Sequence, residues 1–199
     1  MKTDLTAKDD SELHAGFHKR GDEASFAELM RRHGPPLMKF LRGMLGAKSP
    51  EADDVYQETW LRVINNGSKW HGGSFKAWIT TVARNLAIDT IRRRKPTLSL
   101  DAENETGVNL SDLLRDTGPD ISTILSGSET EREIFTAVQE LSDDQKEVFL
   151  MRTVQDLGFR EIADTLNISI NTALGRMHYA VNKLKKTLAH LDETRFAPK

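Results

Sequence analysis

The chain has 199 residues, 38% of them hydrophobic and 29% charged, with a formal net charge of −2, a balance that suits a folded soluble protein of one ordinary domain or two small ones. It has no cysteine, which excludes disulfides, zinc-thiolate sites and thiol nucleophiles and fits a reducing cytoplasm. The N-terminus is too charged for an export signal and no apolar run reaches the roughly 18 residues of a membrane span, so neither export nor membrane insertion is expected.

Residues 1–20 read as an N-terminal extension. His14 and His18, at i and i+4, could share a metal only with a third ligand that the sequence does not supply, and they read as a solvated pair. From residue 21 to 95 the periodicity is helical. Phe26, Leu29 and Met30 recur at helical spacing up to Gly34; Pro35-Pro36 then opens a second run, Leu37, Phe40, Leu41, Met44 and Leu45, which Gly46 closes. Two helices with a tight junction are expected there. Ser49-Pro50 starts another helix over 50–66, with Ala52, Val55, Tyr56, Thr59, Trp60 and Val63 on its apolar face and Asp53, Asp54, Gln57, Glu58 and Arg62 on the other. After the loop "NNGSKWHGGS", Ser74 caps a helix with the core stripe Phe75, Ile79, Val82 and Leu86 and a polar side of Lys76, Thr80, Thr81, Arg84 and Asn85. The first segment is thus a bundle of about four helices. It ends on Arg92, Arg93, Arg94 and Lys95. The helix macrodipole favours a cation near a C-terminus by roughly 0.3–1 kcal/mol, which accounts for one or two of these four.

The modest net charge conceals a division. Residues 1–95 carry 17 basic and 12 acidic side chains, 96–131 carry 1 and 8, and 132–199 carry 10 of each. The acidic middle is rich in Gly, Ser, Thr and Asp and reads as a linker, with a short helical turn at "LSDLL". Beyond it, Ser142 and Gln145 form a capping box ahead of Val148, Phe149, Met151 and Val154, and Gly158 stops that helix. A short helix "FREIADTL", a turn "NIS" and a longer helix from Ile170 to about Leu188 follow. This is the helix-turn-helix arrangement, whose second helix enters the DNA major groove; a plain three-helix packing unit has the same pattern. The fold class is all-α, two small helical domains (21–95 and 132–191) on a flexible acidic linker, with a tail over 192–199.

"SPEADDVYQETWLRVINN", "SFKAWITTVARNLAIDTIRRRK" and "LSDDQKEVFLMRTVQDLGFREIADTLNISINTALGRMHYAVNKLKK" together resemble the two domains of bacterial sigma factors of the extracytoplasmic-function (ECF) type. The resemblance spans roughly 20–95 and 132–188 and rests on the combination Asp53-Asp54, Gln57, Trp78, Ala83-Arg84-Asn85, Asp89 and the terminal arginines. It implies regions 2 and 4 of a sigma-70 family protein, a stress-response type of transcription initiation factor with core RNA polymerase and promoter DNA as partners and an anti-sigma factor as a candidate third. It also implies roles for residues. Asp53, Asp54, Gln57, Glu58 and Arg62 become candidate core-polymerase contacts, although Arg62 and Glu58 could also simply pair at i, i+4. Lys69, Trp70, His71, Lys76, Arg84 and Asn85 become candidates for the −10 element, where an unstacked base needs an aromatic or apolar seat, polar groups for its edge and cations for its phosphates. Arg92 to Lys95 extend that strip. Trp70, between Lys and His in a glycine-rich loop, is expected to be half exposed, a core plug being the alternative.

For the −35 element the candidates are Asn171, Thr172, Arg176, Tyr179 and Lys183. The sequence departs from the family here, with Leu174 and Gly175 where many members have Lys and Ser, and two apolar stripes compete along this helix: 170, 174, 177, 181, 184 and 188, or 173, 177, 180 and 184. The 35 residues of 96–130 have a relaxed span of roughly 30–35 Å and an extended reach of about 120 Å. Two sites two DNA turns apart lie about 70 Å from each other, so the linker must be held stretched. No cofactor, metal or catalytic group is expected. A conventional dimeric repressor would leave the acidic helix and the Trp70 loop unexplained, and a phosphate-handling metalloenzyme would lack a phosphate-cradling glycine loop beside Asp53, Asp54 and Glu58.

Overall fold

The computed structural model describes residues 5–94 and 129–189. It forms two helical units, divided at Arg93/Arg94, with no strand among the described residues. The expected turn at "LSDLL", Lys95 and the 192–199 tail lie outside the described residues.

The first unit holds α1 (Asp10–Arg20), α2 (Glu23–Leu45), α3 (Glu51–Asn66) and α4 (Phe75–Arg94). Sequence reading expected four helices here, but not these four. It passed over α1, whose start is an Asp-x-x-Glu capping box: the Glu12 N–H donates to Asp9 at 2.8 Å and the Asp9 N–H donates back to Glu12 at 3.1 Å. It also divided α2 in two. The helix instead runs through Pro35 and Pro36, which remove two successive i→i−4 hydrogen bonds. Burial holds it together on both sides: Leu29, Leu37, Phe40 and Leu41 are all sealed in the core, and tertiary packing outweighs the local defect.

The segment before α2 is clasped to it. Arg32 donates to the carbonyls of Leu5 and Thr6 at 3.0 Å and of Lys8 at 2.8 Å, and to Glu28 at 2.8 Å. Arg31 also grips Glu28, through two bonds of 2.7 Å. These two guanidiniums, Arg31 first, hold the Glu28 carboxyl down to about 2.

On α3 the expected apolar face is buried except for Tyr56, which is half-buried. On α4 the core stripe is rotated from the expected one: Ala83, Ala87 and Thr90 join Phe75, Ile79 and Leu86, while Val82 is half-buried. Thr80, expected on the polar side, is fully buried and donates its hydroxyl to the Lys76 carbonyl at 2.7 Å. Its polar group is satisfied inside its own helix, so the methyl is free to pack.

The second unit holds α5 (Glu129–Gln139), α6 (Asp143–Thr153), α7 (Phe159–Leu166) and α8 (Ile170–Thr187). α5 begins inside the stretch read as linker. Gly158 does not stop α6, which ends at Thr153; it caps the start of α7, its N–H donating to Glu161 at 2.7 Å. α7 and α8 match the expected helices, joined through Asn167 in the left-handed region (φ 54°) and capped by Ser169, which accepts from the Thr172 N–H at 3.0 Å. Both candidate stripes of α8 contribute to the core, through Ala173, Leu174, Met177, Ala180 and Leu184, while Ile170 stays exposed.

Candidate functional site

The outward face of α3 carries the acids where the sequence placed them. Asp53, Asp54, Gln57 and Arg62 are exposed and Glu58 is half-buried. Arg62 pairs with Glu58 at 2.9 Å, and Arg42 of α2 lies 3.9 Å from Asp53. Two residues that sequence reasoning missed share this surface: Leu61 is 51% exposed and Ile64 38%. The signal was available, since Leu61 follows Asp54, Gln57 and Glu58 at i+7, i+4 and i+3 and so falls on the polar face. Exposed carboxylates and two exposed aliphatic side chains thus lie side by side on the outward face of this helix.

Between α3 and α4 the chain makes a short 3-10 turn, Gly67–Lys69, then Trp70 and His71. α1 forms the floor of this loop. The His14 ring stands edge-on to Trp70 at 4.6 Å, 4.3 Å from His18 and 6.0 Å from Phe75, and Trp70 meets Phe75 at right angles at 5.6 Å. His14 and His18 are therefore not the solvated pair expected from their spacing: His14 is buried and His18 half-buried. Trp70 is half-buried as well, and its Nε1 is enclosed without a hydrogen-bond partner. Lys69 and His71 are exposed, and Gly72 and Gly73 follow with φ of 102° and 81°. The loop thus presents polar groups outward and seats its aromatic ring on α1.

Two predictions arise from that floor. Burial, followed by the neighbouring His18, pushes His14 down to about 4, and burial lowers His18 too. Both rings are neutral in the fold at neutral pH, whereas the unfolded chain takes up protons below about 6.5. Stability should therefore fall as pH drops from about 6.5 toward 4, and thermal melts across that range should show a smaller loss in His14→Leu. At Gly67 a Cβ would fall 1.9 Å from His18 Nε2. Gly67→Ala should accordingly lower the melting temperature by several degrees, as expected for about 1–3 kcal/mol of overpacking.

Along α4, Lys76 and Arg84 are half-buried and Asn85, Arg92, Arg93 and Arg94 exposed. Arg93 reaches back to the Asp89 carbonyl and the Thr90 hydroxyl, each at 3.3 Å. Lys76 and Arg92 lie about 24 Å apart along the axis at 1.5 Å per residue and on different sides of the helix at 3.6 residues per turn, so the cations are spread along and around α4, and only Arg92, Arg93 and Arg94 are gathered, at its last turn.

On α8, Asn171, Thr172 and Tyr179 are exposed, and the Thr172 and Ser169 hydroxyls lie 2.8 Å apart. The two cations are held by their own scaffold: Arg176 forms an ion pair with Asp144 of α6, and Lys183 donates to the Glu140 carbonyl just past α5. The sequence offered no signal for either contact, because the partners are remote along the chain. Leu174 is buried, so the departure from the family pattern there falls on the core side of the helix.

Among the described residues, no group of three or more His, Asp or Glu could hold a metal ion, and no helix is long and apolar enough to cross a membrane. The model of sigma-70 region 2 matches residues 29–97 and that of sigma-70 region 4 matches 131–193. Those two regions, in that order on two separate helical units, define a promoter-recognising sigma factor of RNA polymerase. The relatives narrow the class. The chain is 29% identical over 176 residues to the ECF RNA polymerase sigma factor SigW of Bacillus subtilis, covering 87% of this chain and 94% of that one. It is 28% identical over 173 residues to the RNA polymerase sigma factor CarQ of Myxococcus xanthus, covering 86% and 94%. The fold is shared with the sigma factor RpoE, solved with the anti-sigma factor NepR from Bartonella quintana (TM-score 0.63, 20% identity, 82% of this chain and 96% of that one). It is also shared with CnrH, solved with the cytosolic domain of CnrY (TM-score 0.65, 20% identity, 92% and 99%). The chain belongs to the ECF group of the sigma-70 family.

Proposed function

We propose that this chain is a non-catalytic initiation factor of the cytoplasm: it lends promoter choice and strand opening to core RNA polymerase, which performs the chemistry. Residues 21–95, with α1 packed beneath them, act as the core-binding and −10 unit; 96–131 connect; 132–191 act as the −35 unit. Core polymerase docks on Asp53, Asp54, Gln57, Glu58 and Arg62 of α3, with Leu61 at the centre of the contact. The observation that carries this reading is the exposed aliphatic and acidic surface of α3 in the same unit as α4, whose last turn exposes a run of arginines. One surface suits a protein and the other a polyanion.

The −10 contacts are assigned to Lys69, Trp70, His71, Lys76, Arg84, Asn85 and the 92–95 cations, and the −35 contacts to Asn171, Thr172, Arg176, Tyr179 and Lys183. Lys183 needs to leave the Glu140 carbonyl to reach DNA. A protein of the kind that NepR is for RpoE is a candidate regulatory partner.

The test is reconstitution. The purified chain mixed with core RNA polymerase should form a stable complex and yield transcripts with discrete starts on templates from its source genome. A complex without specific initiation, or DNA binding with no need of polymerase, would replace this reading with that of a conventional repressor.

A further inference from the structure

We infer that Asp144 is a positioning residue for promoter readout: its ion pair with Arg176 aims the Arg176 guanidinium at a base edge and keeps it off the phosphate backbone. The inference rests on the reading of α8 as the −35 helix. Arg176 follows Thr172 by four residues and precedes Tyr179 by three, so it lies on the face those exposed side chains define. Its side chain is only 27% exposed, because Asp144 in the first turn of α6 holds it, while Asp144 itself is 58% exposed.

Helix packing does not need this pair. α6 and α8 already bury Val148, Phe149 and Met151 on one side and Ala173, Met177 and Ala180 on the other, and an ion pair whose carboxylate stays largely in solvent adds little to such an interface. A half-exposed carboxylate beside a DNA-facing helix also repels phosphate and weakens indiscriminate binding. It becomes useful if its effect is on choice rather than on affinity. A long arginine without a partner can swing to the nearest phosphate. With one part of its fork engaged by a carboxylate, its remaining donors present a fixed direction, the condition for bidentate contact with guanine. Asp144 then acts as a repulsive element against the wrong docking as well as a guide to the right one.

The experiment uses the full chain assembled with core RNA polymerase and, as probe, a duplex library randomised over the upstream half of the promoter. Wild type should enrich one upstream motif, and Arg176→Ala should lose preference at a single base pair of it. Asp144→Asn should lower discrimination at that same pair by about tenfold, within the range that a bidentate contact supplies. It should also tighten binding to non-enriched duplex and steepen the salt dependence by about one phosphate contact. Asp144→Glu should restore discrimination, and Asp144→Asn should cost no further discrimination in an Arg176→Ala background. Wild-type discrimination in Asp144→Asn, or equal weakening on enriched and non-enriched duplexes, overturns the inference. If wild type enriches no upstream motif, or Arg176→Ala shifts no base preference, the reading of α8 fails and the inference falls with it.

Discussion

Trp70→Ala is expected to slow promoter opening while leaving assembly with core polymerase intact. The loop that carries Trp70 is distinct from the outward face of α3, so the docking surface should survive. Capture of an unstacked base on an indole is worth about 1–3 kcal/mol. The packing of Trp70 on His14 and Phe75 adds a second loss, since truncating a fully buried Trp costs about 3–5 kcal/mol and a half-buried one less. Its Nε1 has no hydrogen-bond partner from the protein in that seat. The variant should therefore melt a few degrees early and open duplex promoter slowly. A template already unpaired across its −10 region should recover much of the defect. Neutralising Arg92, Arg93, Arg94 and Lys95 should behave differently: binding weakens on both templates and the loss grows with salt. If Trp70→Ala instead melts far below wild type and fails equally on both templates, the ring is a core plug and no base seat.

The second large effect is expected on α3. Asp54→Lys combined with Glu58→Lys should weaken the complex with core polymerase by at least tenfold, as expected when charges at an interface are set against their partners, while circular dichroism keeps its helical signal. Glu58→Lys also removes the pair with Arg62, an exposed i, i+4 contact worth only about 0.3–0.5 kcal/mol, so fold stability should hardly move. Leu61→Ala should weaken the complex without altering its salt dependence, because it removes apolar area and no charge. Unchanged affinity in both variants would take α3 out of the interface.

Local periodicity carried most of the fold. α3, α4, α7 and α8 lie close to where their apolar spacing put them, although the buried stripe of α4 is rotated, α3 starts without the expected serine cap and α8 buries residues of both its stripes. The failures have physical causes. Two prolines normally end a helix, and only the buried leucines and Phe40 on either side carry α2 through Pro35 and Pro36. α1 has few apolar residues, and it is buried by packing on the adjacent α2, where Phe17 stacks on Phe26, together with rings from the loop and α4 that lie more than 50 positions from His14. Gly158 serves equally as a terminus or as a cap, and the Glu161 carboxylate decides between them. At the candidate sites the residue types were legible and their engagements were not. Nothing near Arg176 or Lys183 in the chain announces Asp144 or the Glu140 carbonyl. Leu61 was passed over for a different reason: an apolar residue on a carboxylate face is visible only when the helix is wound and its angle counted.

The clasp formed by Arg32 has a consequence for modularity. The span matched as region 2 starts at residue 29, yet the ring on which Trp70 rests belongs to α1, and α1 is tied down by a guanidinium from inside that span. On the proposed reading of Trp70, promoter opening is shared between a recurrent module and a neighbouring stretch that the module's boundaries omit. A transplant of residues 29–97 into another sigma factor would carry the loop and leave its floor behind. Promoter preference could then change between hybrids whose DNA-facing residues are identical.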